Sequence, residues 1–254
     1  MSRPFLVVQL SDPHVGASWD DADPVARLET AVEGVRSLDT RPDAVLVSGD
    51  LAEHAADAEY EQVRALLARI DAPAYVLPGN HDDREALRRH FGVPGAGGEP
   101  VQYAAELGPL RLVVVDSTRP GAAGGELDAE RLAWLDATLT ADPETPTVVA
   151  MHHPPLAIGI PAWDAIGLPA GDRRALGEVV AAHAQVERIV AGHVHRAISG
   201  RLGGRSVVTV PSTYVQGLLA FGATELLLSG DPPAFAVHML VDRELVSHIQ
   251  PVRP

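Results

Sequence analysis

The 254-residue chain contains no cysteine, so it can form neither disulfide bonds nor thiolate–metal bonds. It also has no apolar run that approaches the roughly 20 residues of a membrane-spanning helix, and the run FLVVQL near its start is too short for a signal peptide. These absences suit a reducing compartment, and we expect a cytoplasmic protein without a membrane span. Any metal ion must bind through His, Asp, Glu or Asn side chains.

Basic residues are scarce as well. Lys and Arg together number 20 against 34 Asp and Glu, which gives a formal net charge of −14. Such a surface repels nucleic acid and anionic lipid, and no cluster of basic residues offsets it. We therefore expect no nucleic acid polymer as a partner, and a negatively charged substrate needs a local positive centre.

Short apolar runs alternate with helix-like stretches along most of the chain. The runs lie at 5–10, 44–48, 74–77, 111–116, 147–151, 188–191 and 206–210, and the amphipathic stretches lie near 24–38, 56–70, 83–91, 126–140 and 172–184. The runs are continuous rather than alternating, which is typical of strands covered on both faces. The sequence therefore predicts a layered α/β fold.

The length and the 46% hydrophobic content suit one large domain, 1–254, with a β-rich C-terminal part from about 206. "DP" at 23–24 and "GD" at 171–172 are typical helix starts. The Gly- and Pro-rich stretches at 92–100, 118–125 and 154–171 are expected to be loops within this domain. An edge strand of the C-terminal part offers a surface for a homodimer.

Residues that commonly bind metals follow five of the predicted strands. They are Asp12 and His14, Asp50, Asn80 and His81, His152 and His153, and His193 and His195. Any one histidine after a strand is more often a hydrogen-bonded loop residue. Because ligands bind beyond the carboxyl ends of the strands in open α/β sheets, the joint placement favours a shared site.

These side chains offer too many N and O ligands for one ion and suit a pair of Mn, Fe, Zn or Co ions. A two-metal site needs a bridging carboxylate, and we assign this role to Asp50, because Gly49 before it allows close approach. Asp12 and His14 then complete the coordination of one ion, while Asn80 and a histidine from each later turn complete the coordination of the other. The two histidines of "GHVH" are expected to serve different ions.

The order of these motifs resembles the calcineurin-like metallophosphoesterase superfamily. The matching positions are Asp12 and His14, Gly49 and Asp50, Gly79 through Asp82, His152, and Gly192 with His193 and His195. The segments "LSDPH", "PGNHD", 113–139 and "MHHPP" are most similar to the class III cyclic-nucleotide phosphodiesterases and their glycerophosphodiesterase relatives. The resemblance implies a four-layer α/β/β/α sandwich with two mixed β-sheets. It also implies two ligand sets, Asp12, His14, Asp50 and His195 for one ion and Asp50, Asn80, His152 and His193 for the other.

Two divalent ions, two aspartates and a bridging hydroxide leave a formal charge of about +1, which matches a phosphodiester monoanion. We therefore expect hydrolysis of small phosphodiesters such as 3',5'-cyclic AMP by attack of that hydroxide, with Asp50 and His81 as the catalytic residues. His81 is expected to stabilise the phosphoryl oxygens or to protonate the leaving alkoxide. The alternatives are a glycerophosphodiesterase, a broad-specificity phosphomonoesterase or nuclease of the same superfamily, and a non-catalytic scaffold. The complete ligand set disfavours the scaffold.

The remaining polar residues near the motifs have two interpretations each. Asp82 either orients a neighbouring turn or caps a helix, and His153 either faces the pocket or bonds to the backbone. Glu53 and His54 either touch the substrate or cap the helix that follows. Further residues are expected in the substrate loops (Arg119, Trp163 and Asp164), at a strand end as a structural group (Asp116), or on the surface (His90, His183, His238 and His248).

Overall fold

The computed structural model describes residues 3–242 and 244–252. In chain order the elements are β1 (Phe5–Leu10), α1 (Pro24–Arg36), β2 (Ala44–Val47), α2 (Asp57–Leu67), β3 (Ala74–Val76), α3 (Arg84–Phe91), β4 (Tyr103–Glu106), β5 (Arg111–Val114), α4 (Ala129–Thr140), β6 (Thr147–Ala150), α5 (Pro161–Ala165), α6 (Ala170–Ala182), β7 (Val186–Ala191), β8 (Ile198–Leu202), β9 (Arg205–Thr209), β10 (Gln216–Gly217), β11 (Leu228–Ser229), β12 (Ala234–Val241) and β13 (Glu244–Pro251). All seven predicted strands and all five predicted helices are present.

Two mixed β-sheets form the centre of the fold. The first has the strand order β13-β12-β1-β2-β3, and the second has the order β4-β5-β6-β7-β9-β8. The strands β1, β2 and β3 are parallel to one another, as are β5, β6, β7 and β9. The antiparallel members lie toward the edges, and β12 pairs with β1 in this way. The carboxyl ends of each parallel set therefore open toward one edge of their sheet.

Three apolar layers hold the sandwich together. Helices α1, α2 and α3 pack on the outer face of the first sheet, and α4 and α6 pack on the outer face of the second. The third layer lies between the sheets and contains residues such as Val7, Leu46, Leu112 and Val190. Alternate residues of one strand thus enter different layers, since Val8 packs toward the helices while Val7 packs toward the second sheet. The four-layer α/β/β/α sandwich is confirmed.

The C-terminal part adds strands to both sheets. The strands β8 and β9 extend the second sheet, while β12 and β13 extend the first, and α6 is the last helix in the part of the chain that is described. The C-terminal strands therefore belong to the same two sheets as the rest of the chain. Among the described residues, none of the helices has the length and hydropathy needed to cross a lipid bilayer.

Local sequence explains where the helices begin, with one correction. Helix α1 starts as expected, with Pro24 in its first turn and the Asp23 carboxylate accepting the N–H of Val25 at 2.9 Å. Helix α6 starts at Ala170, two residues before the predicted position. Asp172 is not its cap, because its carboxylate accepts the backbone N–H of Leu127 at 2.8 Å and ties the loop before α4 to α6.

Two histidines that we expected on the surface are buried. His238 is 1% exposed on β12, and His183 is 8% exposed at the end of α6. The prediction was wrong for His238 because β12 is covered on both faces. It was wrong for His183 because the ring packs against α4, where its Nε2 bonds to the Asp136 carboxylate at 2.8 Å.

Candidate metal centre

The structure brings the seven predicted metal ligands to one place. They follow β1 (Asp12, His14), β2 (Asp50), β3 (Asn80), β6 (His152) and β7 (His193, His195). All except Asn80, which is half-buried, are buried. We call these seven residues the floor, because they close the inner end of a surface cavity described below.

Four side chains form the first group of the floor. The Nε2 atoms of His14 and His195 lie 3.2 Å apart. His195 Nε2 is 3.6 Å from Asp12 Oδ1, and His14 Nε2 is 3.5 Å from Asp50 Oδ2. The four atoms thus converge on a small space.

A second group lies on the other side of Asp50. Its Oδ2 atom is 3.2 Å from His152 Nε2. The Asn80 Oδ1 atom is 3.2 Å from His152 Nε2 and 3.1 Å from His193 Nδ1. Asp50 Oδ2 is the atom that both groups share. These two groups have the same membership as the two ligand sets implied by the resemblance.

Each histidine of the floor is oriented by a bond from its outer ring nitrogen. His152 Nδ1–H donates to the Ser48 carbonyl at 2.9 Å, His195 Nδ1–H to the Val215 carbonyl at 2.8 Å, His193 Nε2–H to the Ile166 carbonyl at 3.1 Å and His14 Nδ1–H to the Glu53 carboxylate at 2.9 Å. Carbonyl and carboxylate oxygens only accept hydrogen bonds, so the proton of each neutral ring sits on its outer nitrogen.

This orientation tests whether cations fit. With the outer nitrogens protonated, the inner nitrogens carry lone pairs. His14 Nε2 then faces His195 Nε2 at 3.2 Å, and burial keeps both of these rings neutral by lowering their pKa values. Two lone pairs cannot bond to each other, whereas a cation between them binds both. The grouping of imidazoles, carboxylates and an amide oxygen therefore fits two metal ions, the second of which would replace the proton that Asp50 favours on His152.

The backbone of the floor is strained in a consistent way. Asp12, His14, Asp50, His193 and His195 all have a positive φ, between 44° and 69°. Residues other than glycine seldom adopt this left-handed conformation, and it costs on the order of 1 kcal/mol or more for each. Strain of this kind persists where the surrounding structure enforces it, which is typical of functional sites.

Glycines beside the ligands leave room for the close approach of strands. Gly49 has a φ of 95°, and a Cβ atom added there would lie 2.4 Å from His152 Nδ1. A Cβ atom on Gly192 would lie 2.2 Å from Ser11 Oγ. These contacts explain why the "GD" and "GH" motifs contain glycine, since any larger residue would separate the two sheets at the site.

Burial and charge shift the ionisation of the floor. The pKa of Asp50 lies well below its usual value, because His152 and His14 outweigh the opposing effect of burial. Burial also lowers the pKa of His152, but Asp50 outweighs it and raises the pKa to about 9. Burial lowers the pKa of His195 to about 4 and that of His193 well below its usual value. His193 and His195 are therefore neutral at pH 7, as metal binding requires.

A buried hydrogen-bond chain that the sequence did not reveal supports Asp12. His238 Nε2–H donates to Gln9 Oε1 at 2.9 Å, and Gln9 Nε2–H donates to Ser48 Oγ at 2.7 Å. The Ser48 hydroxyl donates to Ser11 Oγ at 2.7 Å, and the Ser11 hydroxyl donates to the Asp12 carboxylate. The chain runs from β12 through β1 and β2 to the floor, and it satisfies every polar side chain along its path.

Glu53 and His81 lie where the floor meets the cavity. The Glu53 carboxylate bonds to His14 Nδ1, so its main contact is with a predicted ligand rather than with a helix end. The His81 side chain is 31% exposed, and its Nδ1–H donates to the Glu53 carbonyl at 3.2 Å. His81 Nε2 has no protein partner among the described residues. This nitrogen is the part of His81 that is free to meet a substrate.

Asp82 is the first of three residues that we assigned to supporting or substrate roles. Asp82 is half-buried, and its carboxylate accepts the N–H groups of Leu51, Ala52 and Gly79, so it orients the turn after Asp50. Burial raises its pKa to about 7.

His153 and His54 lie outside the cavity lining. His153 is buried, accepts from the Ser117 hydroxyl at 2.9 Å and donates from Nε2 to the Ala123 carbonyl at 3.0 Å, so both ring nitrogens are occupied. His54 is exposed, and its Nδ1 bonds to Glu59, which also accepts two backbone N–H groups at the start of α2. The structure therefore does not bring either side chain to the substrate cavity.

A cavity of about 400 Å³ opens above the floor. Besides floor residues, it is lined by Glu53, His81, Ala123, Trp19, Trp163, Ile166, Leu226 and Leu228. We call Trp19, Trp163, Ile166, Leu226 and Leu228 the rim. Of the loop residues that we expected near the substrate, Trp163 is in the lining, whereas Arg119 and Asp164 are not. Trp19 was missed, because nothing in the local sequence "ASWDD" signals its spatial neighbours.

Comparison with known proteins agrees with the fold and the site. Residues 5–197 match the family model of the calcineurin-like phosphoesterases, and the chain belongs to this family. It is 35% identical over 217 residues to a probable cyclic nucleotide phosphodiesterase of Synechococcus, covering 83% of this chain and 81% of that protein. It is 31% identical over 252 residues to the glycerophosphodiester phosphodiesterase GpdQ of Enterobacter lignolyticus, covering 96% and 90%.

A solved structure shows the same fold at low sequence identity. A dimetal phosphatase from Danio rerio superposes with a TM-score of 0.73 and 16% identity, covering 99% of this chain and 98% of that one. This similarity extends from end to end of the sandwich. The fold is therefore that of the metallophosphoesterases.

Proposed function

We propose that this protein is a two-metal hydrolase of small phosphodiesters and that 3',5'-cyclic nucleotides such as cyclic AMP are its substrates. The observation that carries this proposal is the pair of ligand groups that share Asp50 Oδ2, set at the base of a cavity of molecular size. The similarity to a probable cyclic nucleotide phosphodiesterase supports the substrate class.

The residues divide the work between holding ions and handling the substrate. In the proposal, Asp12, His14, Asp50 and His195 hold one ion, and Asp50, Asn80, His152 and His193 hold the other. Mn, Fe, Zn and Co all accept this donor set. When bound, such ions activate water at neutral pH and stabilise charge on phosphoryl oxygens.

His81 is the residue that we assign to the leaving group. Its Nδ1–H is fixed by the Glu53 carbonyl, and the Glu53 carboxylate lies 3.4 Å from the same nitrogen. This carboxylate is a partner for an imidazolium ring, so Nε2–H of His81 is placed to donate a proton to the departing alkoxide or to bond a phosphoryl oxygen.

Charge in the cavity favours a diester over a monoester. Asp12 and Asp50 at the floor and Glu53 beside it provide three carboxylates, and among the described residues neither Arg nor Lys lines the cavity. A monoester brings two negative charges near neutral pH, whereas a diester brings one. Surroundings with three carboxylates therefore accept the singly charged diester at a lower electrostatic cost than the doubly charged monoester.

A substrate panel tests the proposal. Purified protein reconstituted separately with Mn, Fe, Zn and Co is assayed on cyclic nucleotides, glycerophosphodiesters, and aryl mono- and diesters. We expect the highest kcat/KM on cyclic nucleotides and a higher value for bis(p-nitrophenyl) phosphate than for p-nitrophenyl phosphate. A preference for the monoester would contradict the diesterase assignment.

A glycerophosphodiesterase is the second candidate. It is favoured by the similarity to GpdQ, which extends over 96% of this chain. The same panel separates the two, because this candidate requires a higher kcat/KM on glycerophosphodiesters than on cyclic nucleotides.

A further inference from the structure

The cavity has two chemically different ends. Its inner end is the floor, with carboxylates, imidazoles and an amide. Its outer end, the rim, consists of two tryptophans and three aliphatic residues. Two of the chain's three tryptophans, from a sequence with only 4% aromatic residues, therefore line one cavity.

Both indole rings lie close to the His195 ring. The Trp19 ring is 5.9 Å from the His195 ring and inclined to it by 25°, and the Trp163 ring is 5.7 Å away and inclined by 35°. Trp19 also lies 4.3 Å from the His14 ring, while Trp163 lies 5.8 Å from the His193 ring. Both indoles thus border the first ligand group at His195, Trp163 also borders the second group at His193, and both line the cavity above the floor.

Hydrogen bonds hold in place the two chain segments that carry Trp19 and Trp163. The hydroxyl of the buried Tyr214 accepts the backbone N–H of Trp19 at 3.1 Å. The Asp164 carboxylate accepts the N–H groups of Ile158 at 2.8 Å and Gly159 at 3.0 Å, which closes the loop before Trp163. Because these segments are fixed before any ligand arrives, little conformational entropy is lost when a ligand binds against the two rings.

A hairpin completes the apolar wall. It is formed by β10 and β11, and its Leu226 and Leu228 line the cavity with exposures of 50% and 39%. The hairpin is joined to the floor, since Gly217 N–H donates to the His195 carbonyl at 3.1 Å. Among the described lining residues outside the floor, Glu53 and His81 provide the polar side chains besides the indole N–H groups of the two tryptophans.

This wall suits a flat ring better than a polyol. A glycerol or amino-alcohol group would find few hydrogen-bond partners there, whereas an aromatic ring gains stacking and apolar contact. We propose that Trp19, Trp163, Leu226 and Leu228 bind the nucleobase of the substrate and thereby select nucleotide diesters over glycerophosphodiesters. The inference rests on the proposed phosphodiesterase function and names the residues that set its specificity.

The first test compares two substrates in each variant. The quantity measured is the ratio of kcat/KM for cyclic AMP to kcat/KM for glycerophosphoethanolamine, which has no ring. We expect Trp19→Ala and Trp163→Ala to lower this ratio about 5- to 150-fold, the range that corresponds to base–aromatic stacking of about 1–3 kcal/mol. Trp134→Ala is the matched control, because Trp134 lies on α4, away from the cavity, and should leave the ratio unchanged.

Trp163 is only 6% exposed, so we expect its replacement to destabilise the protein as well. Leu226→Ser and Leu228→Ser change exposed residues and should lower the same ratio. A ratio that stays within twofold in Trp19→Ala and in both serine variants would overturn the proposal.

A second test does not depend on catalysis. Adenosine carries the ring but no phosphate, and we expect it to quench tryptophan fluorescence of the metal-loaded protein at millimolar concentration. Quenching should persist in Trp134→Phe and weaken in Trp19→Phe. If no phosphodiester is cleaved but adenosine quenches in this pattern, the proposed function fails and the ring site stands. If cyclic AMP is cleaved but adenosine neither binds nor quenches, the ring site fails and the phosphodiesterase stands.

Discussion

The floor and the rim of the cavity are built on opposite principles. Floor residues are polar, lie directly after buried strands, and have their outer ring nitrogens or carboxylates bonded to other parts of the protein. Rim residues are mostly apolar and lie on loops, on the short helix α5 and on the β10–β11 hairpin. Three of them, Trp19, Leu226 and Leu228, have 38–50% of their surface exposed.

The difference shows how one chain separates chemistry from selection. The floor needs atoms held within a few tenths of an ångström, and two sheets packed against each other provide that rigidity. The rim needs only a surface of suitable shape and polarity, which loops provide. Changes in the floor should therefore alter metal binding and turnover, whereas changes in the rim should alter substrate preference.

The largest effect is expected at Asp50, which both ligand groups share. Asp50→Asn removes a negative charge between the two cation positions, and we expect turnover to fall at least about 10³-fold, equivalent to about 4 kcal/mol of barrier. Metal analysis should show fewer than two ions per chain. Asp71→Asn, at an exposed carboxylate paired with Arg41, is the control. Two retained ions with near-normal turnover would contradict the shared role of Asp50.

His81 should separate metal binding from catalysis. We expect His81→Ala to lower kcat about 10²- to 10⁴-fold, the usual contribution of a general acid, while metal content stays at the wild-type level. His54→Ala serves as the control, since that ring is exposed and bonded to Glu59. Unchanged turnover in His81→Ala would remove this residue from the mechanism.

Glu53 should affect the floor indirectly, through His14. The variant Glu53→Gln weakens the bond that orients the His14 ring, and we expect the affinity of one of the two ions to fall about 10- to 100-fold. Calorimetric titration with the metal measures the affinity of each of the two sites. Glu61→Gln, at an exposed position on α2, should leave both affinities unchanged. Equal weakening of both ions would argue against a specific effect on His14.

Acid should destabilise the layer beneath the floor. Burial lowers the pKa of His238 from 6.5 to about 3, so between these values the unfolded chain binds the proton more readily than the folded one. Stability attributable to this residue is therefore present above pH 6.5 and decreases as pH falls toward 3, by about 1.4 kcal/mol per pH unit.

Urea unfolding at several pH values measures this slope. His238→Gln should show a shallower loss of stability in acid than the wild type, whereas His248→Gln, at an exposed position on β13, should keep the wild-type slope. An unchanged slope in His238→Gln would show that another group controls the acid response.

The smallest effect is expected on the hairpin outside the cavity lining. Phe221 is 67% exposed and does not line the cavity. We expect Phe221→Ser to change the free energy of unfolding by no more than about 0.5 kcal/mol and to leave metal content unchanged. A large loss of stability there would show that the hairpin supports the floor as well as the rim.

The sequence predicted the sheets because their strands are buried on both faces. Continuous runs such as 44–48 and 147–151 have no other common structural explanation at that length. It did not predict β4, whose four residues alternate between half-buried and exposed, or α5, which has five residues inside the stretch 154–171 that we expected to be loop. Elements this short depend on tertiary contacts more than on local pattern.

The site likewise contains residues that the sequence predicted and residues that it did not predict. The floor was predictable because residues at the ends of parallel strands meet whatever the intervening loops do. The supporting chain through Gln9 and Ser48 was not, since a single polar residue in "FLVVQL" or "AVLVS" carries no signal of its partner. Trp19 escaped prediction for a related reason: its distance from His14 is set by the path of a loop, which the local sequence does not encode.

The left-handed backbone of the five floor residues also bears on how such a site is maintained. Glycine at any of them would relieve the conformational cost, but it would remove the donor atom that the site requires. Selection for thermal endurance alone would therefore erode these positions, and their side chains persist only under selection for what they bind. The protein gives up part of its stability so that its donor atoms are already in place when an ion arrives.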